Sequence, residues 1–292
     1  MACLHARSMR VVGRLLARLS PRATVRLGRL LSRIPMLNAR RRRIAAANIA
    51  ACFPALDAAG RRDLVARTLA SNTTGVLETL QAWFAPPGRL AGRARIDGLE
   101  HLHAALADGH GAVLVCAHYD GVELAGRHVA EASGVRMVAL VRRYNDPCIE
   151  AEVSAGRSSY GGATYDKKDI AGFADEVRAG HAAFYVPDQD AARRTVFVPF
   201  FGVQAATLGA IGGVLRRSGG RVLLMWCHRE DDGRQRIALQ PAPATWPCDD
   251  DAATAAGYMA WVESCVRQAP DQYLWVHRRF KTRPPGEPPF YR

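Results

Sequence analysis

No aspartate or glutamate occurs before Asp57, so the opening segment carries charge of one sign only. No CxxC pair occurs among the seven cysteines, Cys3, Cys52, Cys116, Cys148, Cys227, Cys248 and Cys265. A structural zinc site or a disulfide framework is therefore not expected, and a reducing compartment fits best. No apolar run approaches the about 20 residues that a membrane-spanning helix needs, and no signal peptide with a cleavage site is visible. GxSxG is absent, which excludes the serine elbow of an α/β-hydrolase. HExxH is absent, as is a glycine loop ending in Lys-Ser/Thr, so neither a zincin nor a P-loop is indicated. No internal repeat is present.

What the chain does have is length, apolar content and positive charge. Its 292 residues are 49% hydrophobic, enough for a sizeable core. Lys+Arg 40 against Asp+Glu 27 leaves a net charge of +13. That surplus suits a polyanionic partner: nucleic acid, an anionic membrane or an acidic carrier protein. No RNP-like aromatic strand, zinc finger or helix-turn-helix signature accompanies the basic residues, which leaves a non-enzymatic nucleic-acid-binding module with charge as its only support.

The arginines are patterned. Arg7, Arg10, Arg14, Arg18, Arg22, Arg26, Arg29 and Arg33 recur at steps of three or four, which puts them on one helical face. Val12, Leu16, Leu19, Leu27, Leu30, Leu31 and Ile34 form an apolar arc beside them. Ser20-Pro21 predicts a break into two helices, with serine as the cap and proline in the first turn. Arg40 to Arg43 add a basic block. The segment 1–45 reads as basic amphipathic helices lying in a membrane interface. A solvated helical face, or an arginine-rich transit peptide, is the alternative for the same residues.

A helix is expected over 57–84, ended by Pro86-Pro87-Gly88. From there strands and helices alternate. Strands are expected at ARIDGL, AVLVCA, VRMVALV, ATYD, HAAFYV, RVLLMWCHR and QRIALQPA. Helices are expected at 99–107, 122–132, 146–158, 168–179, 205–217 and 251–268. The pattern predicts an α/β fold, a largely parallel mixed sheet flanked by helices.

Ligands in open α/β sheets gather at the carboxyl ends of strands. His118 follows AVLVCA at one such end, and Asp188 follows HAAFYVP at another. Glu123 stands five residues after His118, across a glycine-containing turn, where a helix starts. A carboxylate bonded to one imidazole nitrogen fixes the tautomer and raises the basicity of the other, which then takes a proton from an alcohol. His103 and Asp108 share the same spacing, but inside one expected helix, where five residues turn the side chains apart. The competing reading of His118 and Glu123 is a structural histidine beside a helix-capping acid. With a base and no evident nucleophile, direct attack of a deprotonated hydroxyl on an activated acyl group is the simpler chemistry.

AHYDGVELAG resembles the H-x4-D/E box of glycerolipid acyltransferases. More specifically, the chain resembles the bacterial lipid A biosynthesis lauroyl/myristoyl acyltransferases. The segments that carry the likeness are RRRIAAANIAACFP, VRRYNDP, DKKDI, YVPDQDAARRTVFVPFFG with Thr207, and QYLWVHRRFKTRPPG. The resemblance implies a glycerolipid-acyltransferase-like fold over 46–292. It implies transfer of a fatty acyl chain from an acyl-carrier protein or coenzyme A thioester to a hydroxyl of a lipid A precursor, with no metal and no further cofactor. His118 and Glu123 are the implied general-base dyad, and Arg157, Asp188, Asp190 and Arg142 the implied substrate-binding residues. Arg157 is the implied phosphate holder or oxyanion stabiliser, and Asp188 would orient Arg157 or a substrate. VFVPFFG would line an acyl-chain groove or pack in the core. The implied partners are acyl-carrier protein and an anionic membrane lipid or glycolipid, at the cytoplasmic face of the bacterial inner membrane. Where the family commonly has Asn-Trp before the dyad acid, this chain has Gly121-Val122. A different glycolipid, an aminolipid or a pigment precursor therefore stands as an alternative acceptor.

Overall fold

The computed structural model describes residues 3–291, without the side chains of 35–38. Four helices come first: α1 (Leu4–Leu16), α2 (Pro21–Ser32), α3 (Pro35–Cys52) and α4 (Ala58–Phe84). Ser20 caps α2 as expected, its hydroxyl accepting from the Ala23 amide at 3.2 Å. α1 and α2 both pack on α4, and they do so through small residues. Ala6, Gly13 and Leu16 of α1 and Thr24, Gly28 and Ser32 of α2 are buried, all but Leu16 small. A Cβ on Gly28 would lie 2.1 Å from Thr74 Oγ1, and one on Gly13 2.5 Å from Phe84 Cδ2, so the helices touch almost backbone to backbone. The large apolar side chains Leu4, Val11, Val12, Leu15, Leu30 and Ile34 stay exposed.

The rest is the alternating unit. Its strands are β1 (Ala94–Asp97), β2 (Ala112–Val115), β3 (Met137–Val141), β4 (Thr164–Asp166), β5 (Ala182–Tyr185), β6 (Thr195–Phe200), β7 (Val203–Leu208), β8 (Arg221–Arg229) and β9 (Gln235–Pro241). Its helices are α5 (Leu99–Ala107), α6 (Val122–Ser133), α7 (Pro147–Ser158), α8 (Ile170–Arg178), α9 (Ile211–Ser218) and α10 (Asp251–Gln268). Seven strands form one sheet in the order β1-β9-β8-β2-β5-β3-β4, parallel except for the β8–β9 pair. This is the expected mixed, mostly parallel sheet. β2 lies at its centre, and Ala112, Val113, Leu114 and Val115 are wholly buried. That explains why the strand is apolar at every position rather than alternating.

One element differs from expectation. Residues 205–217 are not one helix: β7 pairs antiparallel with β6, and α9 begins only at Ile211. Alanine and leucine give 205–210 helix propensity, but tertiary burial of Ala205, Ala206 and Thr207 overrides it. The hairpin turns at Phe201 (φ 52°) and Gly202 (φ 77°), both left-handed, as a two-residue type I′ connection requires. Val198, Phe200 and Phe201 pack in the core, the two phenylalanine rings against Trp275, whereas Pro199 and Gly202 are exposed, so VFVPFFG is core on one face only. Cysteine chemistry also differs: a disulfide joins Cys3, before α1, to Cys148 in the first turn of α7.

The C-terminal segment is a brace. Asn48 of α3 donates to the Trp275 and His277 carbonyls at 2.7 and 2.9 Å and accepts from the Tyr291 hydroxyl at 2.6 Å. Arg279 is fully buried and bonds the Ala206 carbonyl and Thr207 Oγ1, both at 2.6 Å. These bonds join three segments that resemble family motifs but lie far apart in sequence.

Candidate active site

β2 and β5 are neighbours in parallel register, with Val115 opposite Tyr185. His118 and Asp188 each lie three residues past that pair, so the two chain exits bring them face to face. Asp188 Oδ1 bonds His118 Nδ1 at 2.5 Å, and Oδ2 accepts the His118 backbone N–H at 3.0 Å. The Tyr273 hydroxyl reaches the same carboxylate. Asp188 is 1% exposed, whereas 29% of the His118 side chain is open. Behind the histidine, Tyr273 bridges to Tyr119, and the Leu274 amide donates to the His118 carbonyl at 3.1 Å. The loop is thus fixed on both sides.

Glu123, in the first turn of α6, holds Arg157 of α7 rather than the imidazole. Arg157 Nε donates to Glu123 Oε2 at 3.2 Å, and its terminal nitrogen pairs with Oε1. Trp83, at the end of α4, donates its indole N–H to Oε2 at 2.9 Å, and its ring lies 5.2 Å below the guanidinium. The carboxylates have exchanged the partners expected from sequence: Asp188 orients His118, and Glu123 orients Arg157. Spacing along the chain pointed to Glu123, but strand register puts Asp188 closer to Nδ1.

Burial alone would push the His118 pKa down. The charge and hydrogen bond of Asp188, and then the charge of Glu123, outweigh it and leave the imidazole above its ordinary value. Burial likewise opposes ionisation of Asp188, but His118 outweighs that effect and holds the carboxyl below its ordinary range.

His118, Glu123, Arg157 and Arg142 line one cleft of about 620 Å³, within the size range of small-molecule sites. Arg143, Tyr144, Asn145 and Thr164 add further polar groups, and Val138, Leu140, Phe184 and Val186 contribute apolar walls. Asp190 is not among the residues lining it. Its carboxylate accepts the Thr282 amide and hydroxyl at 2.9 and 3.0 Å and ties down the C-terminal segment. Trp83 and Tyr273 were not singled out from sequence. Trp83 looked like one more apolar position on a helix, and nothing local marked Tyr273 as a neighbour of Asp188.

An oriented imidazole at a strand end, a fixed guanidinium beside it and an apolar cleft define the site of an α/β group-transfer enzyme. The family model for bacterial lipid A biosynthesis acyltransferases matches residues 4–282. The chain is 35% identical over 256 residues to the lipid A biosynthesis lauroyltransferase of Escherichia coli K12, spanning 86% of this chain and 83% of that protein. It is 33% identical over 256 residues to the palmitoleoyltransferase of the same strain, with 86% and 82% covered. It is 28% identical over 269 residues to the myristoyltransferase of that strain, with 90% and 81% covered. The chain belongs to the bacterial lipid A biosynthesis acyltransferase family and is an O-acyltransferase.

Proposed function

We propose that the chain moves a fatty acyl group from an acyl-carrier-protein thioester to a hydroxyl of a lipid A precursor, with His118 as general base. His118 Nε2 takes the proton from the acceptor hydroxyl as its oxygen attacks the thioester carbonyl. Asp188 holds the Nδ1–H and stabilises the imidazolium. Arg157, fixed by Glu123, faces the negative charge that develops on the carbonyl oxygen. Collapse of the tetrahedral intermediate breaks the C–S bond, and the imidazolium proton passes to the departing thiolate. The observation that carries this reading is the His118–Asp188 pair opening onto an apolar cleft. The net charge of +13 suits both an acidic carrier and a phosphorylated acceptor. The test is mass spectrometry of lipids from cells with and without the protein, paired with assays on acyl-carrier-protein and coenzyme A donors. A gain of one acyl unit on a lipid A precursor, with faster transfer from the carrier protein, is expected. An unchanged lipid profile, or preference for the coenzyme A donor, counts against the reading.

Gly126 gives a sharper expectation for the cleft. It lies mid-helix in α6, lines the cleft, and a Cβ there would approach only Phe184 Cζ, at 4.0 Å. Glycine at such a site costs about 1 kcal/mol relative to alanine, and close helix packing does not require it. Its smallness leaves room for the acyl chain. Gly126→Leu shifts donor preference towards shorter chains, changing the ratio of kcat/KM between adjacent donors by about tenfold or more. Competition assays with mixed donors measure it, and an unchanged preference would place the chain elsewhere.

The same reading includes docking at an anionic membrane surface. No helix among the described residues is long and apolar enough to cross a membrane. A soluble helix buries its large apolar side chains, but α1 and α2 bury mainly small ones, with Leu16 the large one among them, and expose Leu15 at 53% and Leu30 at 62%. Arg14, Arg18, Arg22, Arg26 and Arg33 are exposed beside them and form no ion pair among the described residues. Leucines in the acyl boundary with arginines at the headgroups satisfy both features. The triple variant Val11→Glu/Leu15→Glu/Leu30→Glu binds anionic vesicles about tenfold or more weakly in co-sedimentation. Unchanged binding removes these helices from the interface.

A further inference from the structure

Two short pairs, Cys3-Leu4-His5 and Asp146-Pro147-Cys148, meet where the start of α1 crosses the start of α7. The ligand atoms of His5, Asp146 and Cys148 lie within 4.8 Å of one another, and Cys3 is bonded to Cys148. We infer that, once this disulfide is reduced, the chain binds one Zn²⁺ through Cys3 Sγ, His5 Nε2, Asp146 Oδ2 and Cys148 Sγ, clipping α1 to α7.

The donor set fits that ion. Two thiolates, one imidazole and one carboxylate are its common ligands, and zinc takes four in a tetrahedron. Bonds of about 2.0–2.3 Å place tetrahedral donors about 3.3–3.8 Å apart. His5 Nε2 and Asp146 Oδ2 are 3.0 Å apart. Rotation of exposed side chains, and parting of the two sulfurs after reduction, supplies the rest. Asp146 is already oriented. Its Oδ1 accepts the Cys148 and Ile149 amides at 2.8 and 3.1 Å as the cap of α7, which leaves Oδ2 directed at His5. Such outer bonds fix a carboxylate ligand in place. Further along the same helix pair, Arg10 Nε bonds Glu152 Oε2 at 2.7 Å and sets the register of α1 on α7. Both elements are therefore in place before a metal enters. The site lies outside the cleft, and its four ligands are not cleft-lining residues.

The chemistry balances as follows. A phosphine reductant cleaves the S–S bond and becomes the phosphine oxide, its oxygen coming from water. The two protons of that water end on the two sulfurs. Zn²⁺ then displaces both thiol protons to solvent and forms two Zn–S bonds. The disulfide form has no thiolate to offer, so oxidation and metal binding exclude each other.

The test uses the full chain, reduced with a phosphine and stripped of metal by a chelator. Titration with Zn²⁺ against a chromophoric chelator should give one ion per chain. Co²⁺ in its place should give thiolate charge-transfer absorption and the intense visible bands of a tetrahedral site. Cys3→Ser and Cys148→Ser should each weaken binding by about tenfold or more, while Cys248→Ser should leave it unchanged. The oxidised wild-type chain should bind none at the same Zn²⁺ concentration, a comparison that does not depend on any variant folding. Equal binding by the oxidised and reduced chains overturns the inference. So does full binding by the Cys3→Ser/Cys148→Ser double variant, or no binding by the reduced wild type.

Discussion

His118→Ala lowers kcat/KM for acyl transfer by about 10²–10⁴-fold, the range that a positioned base contributes. The effect is large because no other imidazole among the described residues lines the cleft. His277, which feels the charges of Asp188 and His118, is spent in the brace, its Nε2 accepting the Asp190 amide at 3.3 Å. The fold should survive the change. Asp188 keeps the backbone N–H of residue 118 and the Tyr273 hydroxyl, so its buried carboxyl retains two donors. Circular dichroism and thermal unfolding check the fold, and turnover with an acyl-carrier-protein donor checks the chemistry. Turnover near that of the wild type in a folded His118→Ala chain would remove the imidazole from the mechanism.

Asp188→Asn has the second largest effect and leaves a distinct pH signature. A general base must be neutral to act, so kcat/KM rises with pH as His118 loses its proton. The wild-type midpoint lies above the ordinary imidazole value of about 6.5, because Asp188 and Glu123 favour the charged ring over the opposing cost of burial. Asp188→Asn removes the larger favourable contribution, so the rising limb moves to lower pH. Its plateau falls by about 10²-fold or more, because an amide no longer enforces the Nδ1–H tautomer. Glu123→Gln also moves the limb down, but by less, since Glu123 acts on the ring through space and not through a hydrogen bond. A reversed order of the two shifts would return Glu123 to the position beside the ring.

The same pair links stability to pH. His118 is raised, so its contribution is complete below the ordinary imidazole value and is lost as pH climbs through the folded pKa. Asp188 is lowered, so its contribution is complete above the ordinary carboxylate range and is lost as pH falls through the folded pKa.

The layered fold was legible because local signals and tertiary structure agreed. The apolar run 112–115 could be buried on both faces only as a central strand, and Ser20-Pro21 could only open a helix. Strand ends in such a sheet gather ligands, so His118 and Asp188 were legible as neighbours, although only His118 lines the cleft and Asp188 is buried behind it. Their hydrogen bond was not, because it follows from the register of β2 on β5, which no local spacing encodes. Glu123 misled for the same reason: closeness along the chain was taken for contact. Residues 205–210 failed where burial overrode propensity. Cys3 and Cys148 escaped because metal and disulfide motifs are sought as short spacings, whereas here two pairs of i, i+2 residues meet across 145 positions. The inverted faces of α1 and α2 were half legible. The arginine stripe marked the outward side, but only packing on α4 showed that Gly13 and Gly28 face inward while Leu15 and Leu30 face out.

The strut behind the histidine has a consequence for biosynthesis. Tyr273, Leu274 and Arg279 leave the ribosome after every element they support: the His118 loop, Asp188 and the β6–β7 hairpin. Until they emerge, the His118 loop lacks the partner of its main-chain carbonyl, and the hairpin lacks its cation. A nascent chain arrested near residue 268 would carry His118, Glu123, Arg157 and Asp188 without the support that sets them, so the candidate site is completed late in translation.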